Sequence, residues 1–196
     1  HKNYNTNVFE KVLINDLKYS SVPKINSEGF VNKFNVLFKN ITTESDNSKE
    51  YSNQFRSQNF GSVFYDISYP MKKEGINYNS FLSGKAALMY SPNKNKNIKD
   101  LDRKIDFKNV FSQNRLGLND SLEGGQSLTL GGEYRLTNKE NNNILTAGLA
   151  SVLRDKNENK LPISSTINNK TSDIIGSFNF KPNEKINFDY NFSVDN

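Results

Sequence analysis

Side chains able to perform covalent chemistry are scarce in this sequence of 196 residues. It contains no Cys and a single His, His1. Nucleophilic catalysis needs a base beside the nucleophile, and structural or catalytic zinc sites are built largely from Cys and His. Neither arrangement can be assembled from these residues. The sequence therefore predicts no catalytic residues, and nothing in it supports an enzyme.

Carboxylates and glycines are the remaining candidates for a ligand site. Three aspartates lie within 100–106, and Asp120 and Glu123 follow. Their spacing does not reproduce a calcium-binding loop, so a solvated loop is the better interpretation. The pairs Gly124-Gly125 and Gly131-Gly132 lack the strand-to-helix context of a phosphate-binding loop, and in strands such glycines mark bulges or close backbone approach. We therefore expect no metal and no cofactor.

Composition favours one sheet over a thick core. Only 34% of the residues are hydrophobic, yet 12% are aromatic, which suits a single curved sheet with one apolar face. The net charge of +5 is modest, and Lys-Asn tracts such as Pro92–Lys99 carry much of it. We interpret these tracts as solvated loops, and we expect no nucleic-acid partner.

The elements that must position these residues are strands joined by connections of alternating length. Brief joins at 22–28, 71–75, 138–142 and 182–184 alternate with long polar ones at 43–57, 92–121 and 155–170. This alternation is typical of an outer-membrane β-barrel, with tight turns on one side and larger loops on the other. About eight antiparallel up-and-down strands, or four hairpins, are predicted: 8–21, 29–42, 58–70, 76–91, 122–137, 143–154, 171–181 and 185–195.

Period-two patterning gives most strands one apolar and one polar face. In the last strand the apolar side chains Ile186, Phe188 and Tyr190 alternate with the polar Asn187 and Asp189. Side chains of a strand point alternately to opposite faces, and about 9–11 residues suffice for a tilted strand to cross a bilayer. Ile175 breaks the alternation of its strand. The strand 143–154 also alternates weakly, which predicts burial on both faces or a position under an inward loop.

The polar faces carry both signs of charge, as at Lys33, Lys85, Glu133 and Asp189. Such a face suits a hydrated lumen, but it also suits the solvated side of a soluble sheet. Aromatic residues near strand ends, such as Tyr69, favour the barrel because aromatic girdles lie there.

The stretch 114–134 resembles a segment in the barrel of LptD-type lipopolysaccharide-assembly proteins. An Asn-Arg pair is followed by Asp, by Glu, by a small-residue step and by a strand with an aromatic at its end. The residues at the matching positions are Asn114, Arg115, Asp120, Glu123, Gly125, Gly131 and Tyr134. Ser121 and Ser127 stand where the family commonly has basic residues. Weaker matches follow in order at Tyr90-Ser91-Pro92, at Arg154-Asp155-Lys156 with Leu161-Pro162, and at 170–176.

This resemblance implies part of a large transmembrane barrel in the outer membrane of a Gram-negative bacterium. Such a protein would insert lipopolysaccharide into the outer leaflet without covalent chemistry. Its partners would be lipopolysaccharide, an LptE-like lipoprotein plug, membrane lipids and a periplasmic bridge protein that docks on an N-terminal domain. We expect residues 1–196 to be an internal fragment of the barrel, without that domain and without the barrel-closing strands.

Two roles for the motif follow from the resemblance, and two other functions stay open. Arg115, paired with Asp120 or Glu123, would fix a loop over the lumen; in the alternative, Arg115 contacts the lipid head group directly. The structural role is the better expectation. The competing functions are a porin or TonB-dependent receptor barrel and a soluble carbohydrate-binding β-domain.

Overall fold

The computed structural model describes residues 7–140 and 142–195, and these form one antiparallel sheet. His1 lies outside the described residues. One 3₁₀ helix, Ile163–Ser165, interrupts the connection between the seventh and eighth strands. The strands are β1 Phe9–Ser20, β2 Lys24–Ile25, β3 Val31–Asp46, β4 Arg56–Glu74, β5 Tyr78–Ser91, β6 Gly125–Asn138, β7 Asn143–Arg154, β8 Ile174–Asn183 and β9 Ile186–Val194.

Strand order in the sheet follows chain order. The sequence of neighbours is β1-β3-β4-β5-β6-β7-β8-β9, and the two-residue β2 adds a short pair to β3. Every pairing is antiparallel. The predicted all-β, up-and-down architecture is therefore confirmed. Within the described ranges β1 and β9 each pair on one side only, so the sheet is not closed.

One face of the sheet is apolar and exposed. Cross-strand register places Val63 opposite Tyr90, and Leu88 opposite Leu128, which in turn lies opposite Leu153. These residues belong to the predicted apolar faces, and 54% of Leu88 is accessible. Exposed apolar surface on this scale is rare on a monomeric soluble protein, because it normally marks contact with protein or membrane.

The opposite face is covered at one end by two of the three long connections. These are the β5–β6 connection, residues 92–124, and the β7–β8 connection, residues 155–173. Their apolar side chains pack with Ala150, Val152 and Ile175 of the sheet. The connection residues in this core are Ile98, Ile105, Phe107, Val110, Leu116, Leu118, Leu161 and Ile167, with Phe111 at its margin. The core thus lies between a sheet and its own loops.

This covering explains the strands with weak alternation. Ile175 is buried because it meets the connections, whereas Leu149 on the other face of the neighbouring strand remains 52% exposed. Of the two expectations for 143–154, the position under an inward loop is therefore the one that holds. The alternation of apolar and polar residues is lost where a strand has apolar residues on both faces.

Several predicted boundaries differ from the observed ones. β6 begins at Gly125 rather than 122, because Leu122–Gly124 belong to the buried end of the β5–β6 connection. β3 and β4 continue beyond their predicted ends, which shortens the 43–57 connection to 47–55. The predicted join at 22–28 contains β2, so the sheet has nine strands rather than about eight. β8 runs through Pro182 to Asn183, with an irregular register near the turn.

Glycine at 148 makes room for the β5–β6 connection on the sheet. A Cβ atom there would lie 2.4 Å from a ring carbon of Phe107. We predict that Gly148→Ala displaces this ring and destabilises the packed connection by about 1–3 kcal/mol, the usual cost of overpacking. Hydrogen–deuterium exchange over 105–118 should then accelerate in the full-length protein. Gly84→Ala is the control, because a Cβ there meets nothing within 4 Å. Equal exchange in both variants would contradict this packing.

Candidate functional site

The motif residues predicted from the sequence lie at the end of the β5–β6 connection and in β6. Arg115 and Glu123 are buried against the covered face of the sheet. Arg115 Nε donates to Glu123 Oε2 at 2.8 Å, and its Nη2 also bonds to Glu123 Oε1. Of the two carboxylates that the sequence offered to Arg115, the structure thus pairs it with Glu123.

Arg115 also holds the connection to β6. Its Nη1 donates to Thr129 Oγ1 at 3.1 Å, and its Nη2 donates to Ser127 Oγ at 2.9 Å. Both hydroxyls lie on the covered face of the strand. Ser127, which the resemblance aligns with a commonly basic position, accepts this hydrogen bond from Arg115 through its hydroxyl.

A second arginine completes a charged cluster. Arg154, the last residue of β7, bonds to Glu123 Oε1 through Nη1 and donates from Nη2 to the Gly124 carbonyl at 2.6 Å. We refer to the Arg115–Glu123–Arg154 cluster. It joins one connection to two neighbouring strands, so its loss would free the end of the connection from the sheet.

The charges of this cluster are almost completely removed from water. The side chains of Arg115, Glu123 and Arg154 are 1%, 3% and 0% accessible. Burial opposes ionisation of Glu123, but the charges and hydrogen bonds of the two guanidinium groups outweigh it and hold its pKa below the usual value. A buried carboxylate is stable in this form only because it is paired and hydrogen-bonded.

Asp120 contacts the β3–β4 connection, residues 47–55, through Tyr51, and it also pairs with Lys96 of its own connection. Lys96 Nζ lies 2.5 Å from Asp120 Oδ2, and the Tyr51 hydroxyl donates to the same oxygen at 3.0 Å. Burial raises the pKa of Asp120, but these partners outweigh it and leave the pKa below its usual value. Burial and the neighbouring carboxylate raise the pKa of Tyr51 to about 12. This contact therefore ties 47–55 to 92–124.

Of the other motif residues, Asn114 and the two glycines determine local backbone geometry, and Tyr134 lies on the opposite face of the sheet. Asn114 closes a turn, since its side chain donates to the Leu118 carbonyl at 2.8 Å and accepts from the Leu118 amide at 2.9 Å. Gly125 has a φ of 97°, which favours glycine. Gly131 lies under the Phe111 ring, where a Cβ would approach within 2.8 Å. Tyr134 lies on the apolar face and donates to the Ser80 hydroxyl at 3.2 Å.

Further bonds attach the β5–β6 connection to more distant elements. The buried Lys39 of β3 donates to the Asn119 carbonyl at 3.0 Å and pairs with Asp16 of β1 at 2.8 Å. Gln113 Nε2 donates to Ser62 Oγ of β4 at 2.7 Å. With β6 and β7, the connection is thus bonded to four strands of the sheet.

Sequence reasoning missed three of these partners. From the sequence, Arg154 belongs only to a weaker loop match, Lys39 is predicted only as one of the charges on the polar face, and no pattern marks Tyr51. Each is far along the chain from the residue that it contacts, as Tyr51 is from Asp120. The only sequence feature that could indicate such a partner is a charged residue at the end of an otherwise apolar strand, as at Arg154.

Beyond the connections, the polar face continues as a belt of paired groups. Asn35 donates to Asp66 at 3.1 Å, and Lys85 Nζ lies 2.6 Å from Glu133. Such a belt can solvate polar or charged groups that pass along it. Within 7–140 and 142–195, no cluster of His, Cys, Asp or Glu is suited to hold a metal ion. The part of the chain that the structure describes contains no helix long and apolar enough to cross a membrane.

An up-and-down sheet with one exposed apolar face, and a polar face covered at one end by its own loops, has the form of part of a β-barrel wall. The particular family follows from a direct match: residues 18–195 match the LptD family, described as LPS transport system D, and the chain belongs to this family. No curated protein sequence matches the chain. The LptD family is an outer-membrane family involved in the transport of lipopolysaccharide.

Removal of the shared carboxylate should release the β5–β6 connection. Glu123→Gln leaves two buried guanidinium groups without a counter-charge, and breaking such a pair costs about 3–5 kcal/mol. We expect faster trypsin cleavage at the lysines of 92–108 in the folded full-length protein. Glu74→Gln is the matched control, because that carboxylate and its partner Lys72 are exposed. Unchanged cleavage in Glu123→Gln would show that the cluster does not hold the connection.

Acid should act on the same cluster. The pKa of Glu123 is lower in the folded state than the ordinary value of about 4.3 for Glu. Its contribution to stability is therefore complete above that ordinary value and is lost as the pH falls through the lowered folded-state pKa. We predict that thermal unfolding of the wild type depends on pH below about 4, and that Glu123→Gln weakens this dependence. Identical pH profiles would contradict the assignment.

Proposed function

We propose that this chain forms part of the wall of an outer-membrane translocon that inserts lipopolysaccharide into the outer leaflet. The observation that carries this proposal is the division of the sheet into an exposed apolar face and a polar face with covering loops. In a barrel the apolar face would meet lipid, and the polar face would line the lumen. Membership of the LptD family supplies the substrate class.

The two faces suit the two parts of the transported molecule. Paired groups such as Lys85 and Glu133 would solvate the polar head, while the acyl chains would stay in an apolar environment. The protein thus supplies a path, and no covalent step is required. A porin offers a polar lumen as well, but the family match favours lipopolysaccharide.

The motif residues act structurally in this proposal. The guanidinium group of Arg115 donates its hydrogen bonds to Glu123, Thr129 and Ser127, and the side chain is 1% accessible. A head group could reach it only after the connection had moved away. We therefore propose that Asn114, Arg115, Asp120 and Glu123 hold the β5–β6 connection inside the lumen, rather than contact the substrate.

The partners follow from the family rather than from any contact of this chain. We propose that the barrel encloses an LptE-like lipoprotein plug and receives its substrate from a periplasmic bridge protein through an N-terminal domain. The unpaired edges of β1 and β9 would then continue into further strands of the same barrel. Exposed edges otherwise invite aggregation, so continuation removes that hazard.

Depletion of the full-length protein tests the function directly. We expect newly made lipopolysaccharide to disappear from the cell surface and to accumulate on the inner side of the outer membrane, while its synthesis continues. Restored expression should reverse the effect. If depletion instead abolished uptake of one solute and left surface lipopolysaccharide unchanged, the porin or receptor interpretation would replace this one.

The orientation of the wall gives a second prediction. Leu149 lies near the middle of β7 on the apolar face and is 52% exposed. Leu149→Lys should cost about 2–4 kcal/mol near the bilayer midplane and lower the amount of folded barrel. Ser83→Lys is the matched control, because Ser83 lies on the polar face two residues along β5 from Lys85. Equal loss of folded barrel in both variants would contradict this orientation.

A further inference from the structure

A cavity of about 450 Å³ lies on the polar face beside the β5–β6 connection. Phe107 and Phe111 of the connection form one side of it, and side chains of β5 to β9 form the rest. The two rings meet edge to face with their centroids 5.9 Å apart. They pack on the sheet at Gly148 and Gly131, so this side of the cavity is fixed.

The charges that line the cavity balance. Lys85 and Lys108 face it together with Glu133 and Asp189, two positive and two negative groups. Lys85 is already paired with Glu133 at 2.6 Å, and its ammonium group lies within 6 Å of the Phe107 and Phe111 centroids. A cavity that selected phosphate would need an excess of positive charge, so an uncharged ligand fits better.

Hydroxyl and carboxamide groups supply the remaining polar surface. Asn179 donates to Asp189 Oδ1 at 2.7 Å and Asn187 donates to Asp189 Oδ2 at 2.9 Å, so each carboxylate oxygen keeps a lone pair open to a ligand. Thr146, Ser177 and Asn191 also line the cavity, and no partner among the described residues bonds to their side chains. Hydroxyls and carboxamides both donate and accept, as do the hydroxyls of a sugar.

We propose that this cavity is a subsite for an uncharged sugar unit of the lipopolysaccharide glycan. A concave site with an apolar side and a few convergent polar groups is the usual form of a small-ligand site. The sugar ring would rest against the phenyl edges while its hydroxyls bond to Ser177, Asn191 and Asp189. The subsite rests on the proposed function, because that function brings the glycan along this face.

Site-specific photo-crosslinking in the full-length protein, in its own membrane, tests the subsite. A photoreactive residue is placed at Ser177 or Asn191, and the control position is Asn35, on the polar face outside the cavity. We expect lipopolysaccharide adducts at 177 and 191 at least several-fold above those at 35. Adducts at 35 without adducts at 177 and 191 would overturn the subsite but leave the translocon intact. Adducts at none of the three would count against the translocon itself, and with it the subsite.

Binding to the purified full-length protein identifies the chemistry. The probe is the oligosaccharide released from lipopolysaccharide, before and after enzymatic removal of its phosphates. We expect both forms to bind alike, and Asn191→Leu and Ser177→Val each to weaken binding about tenfold. Asn35→Leu should bind as the wild type does. Loss of binding on removal of phosphate would overturn the assignment to an uncharged sugar.

Discussion

A carboxylate that cannot reach water has to be neutralised where it lies, and this constraint on Glu123 organises the covered face. Two arginines meet the requirement from different elements, Arg115 from within the same connection and Arg154 from the end of β7. The β5–β6 connection can therefore leave the sheet only if a buried charge is left unpaired. Apolar packing alone would fix the position of the connection less specifically, because hydrophobic contacts are not directional.

The position of the β5–β6 connection determines which residues the strands carry on their inner face. Strands under it need apolar residues on both faces, which is why Val152 and Ile175 are buried while Leu149 is exposed. Strand segments beyond it need a polar inner face, and there Lys85 pairs with Glu133. Glycine serves where an aromatic ring of the connection meets the backbone, as at Gly148. One sheet thus has two kinds of inner surface along its length.

Features that depend on neighbouring residues in the sequence could be predicted, and contacts between residues far apart in the sequence could not. Strand positions and outward faces followed from period-two patterning, since the last strand alternates without a break from Ile186 to Val194. The contact between Arg154 and Glu123 could not be predicted in that way, because the two residues are 31 positions apart in the sequence and a whole hairpin lies between them. The start of β6 was missed for a related reason. Leu122 continues the apolar pattern of a strand, but its burial comes from the connection.

The central claim is that lipopolysaccharide passes along the polar face while the apolar face meets the bilayer. Photo-crosslinking at successive positions of β7 tests it most directly, since Ile144 and Thr146 point to the polar face and Leu145 and Ala147 to the other. Adducts at 144 and 146 should form only while newly made lipopolysaccharide is being delivered. Adducts at 145 and 147 should form with membrane lipids whether or not delivery continues. Delivery-dependent adducts of equal strength at all four positions, or at none, would contradict the account.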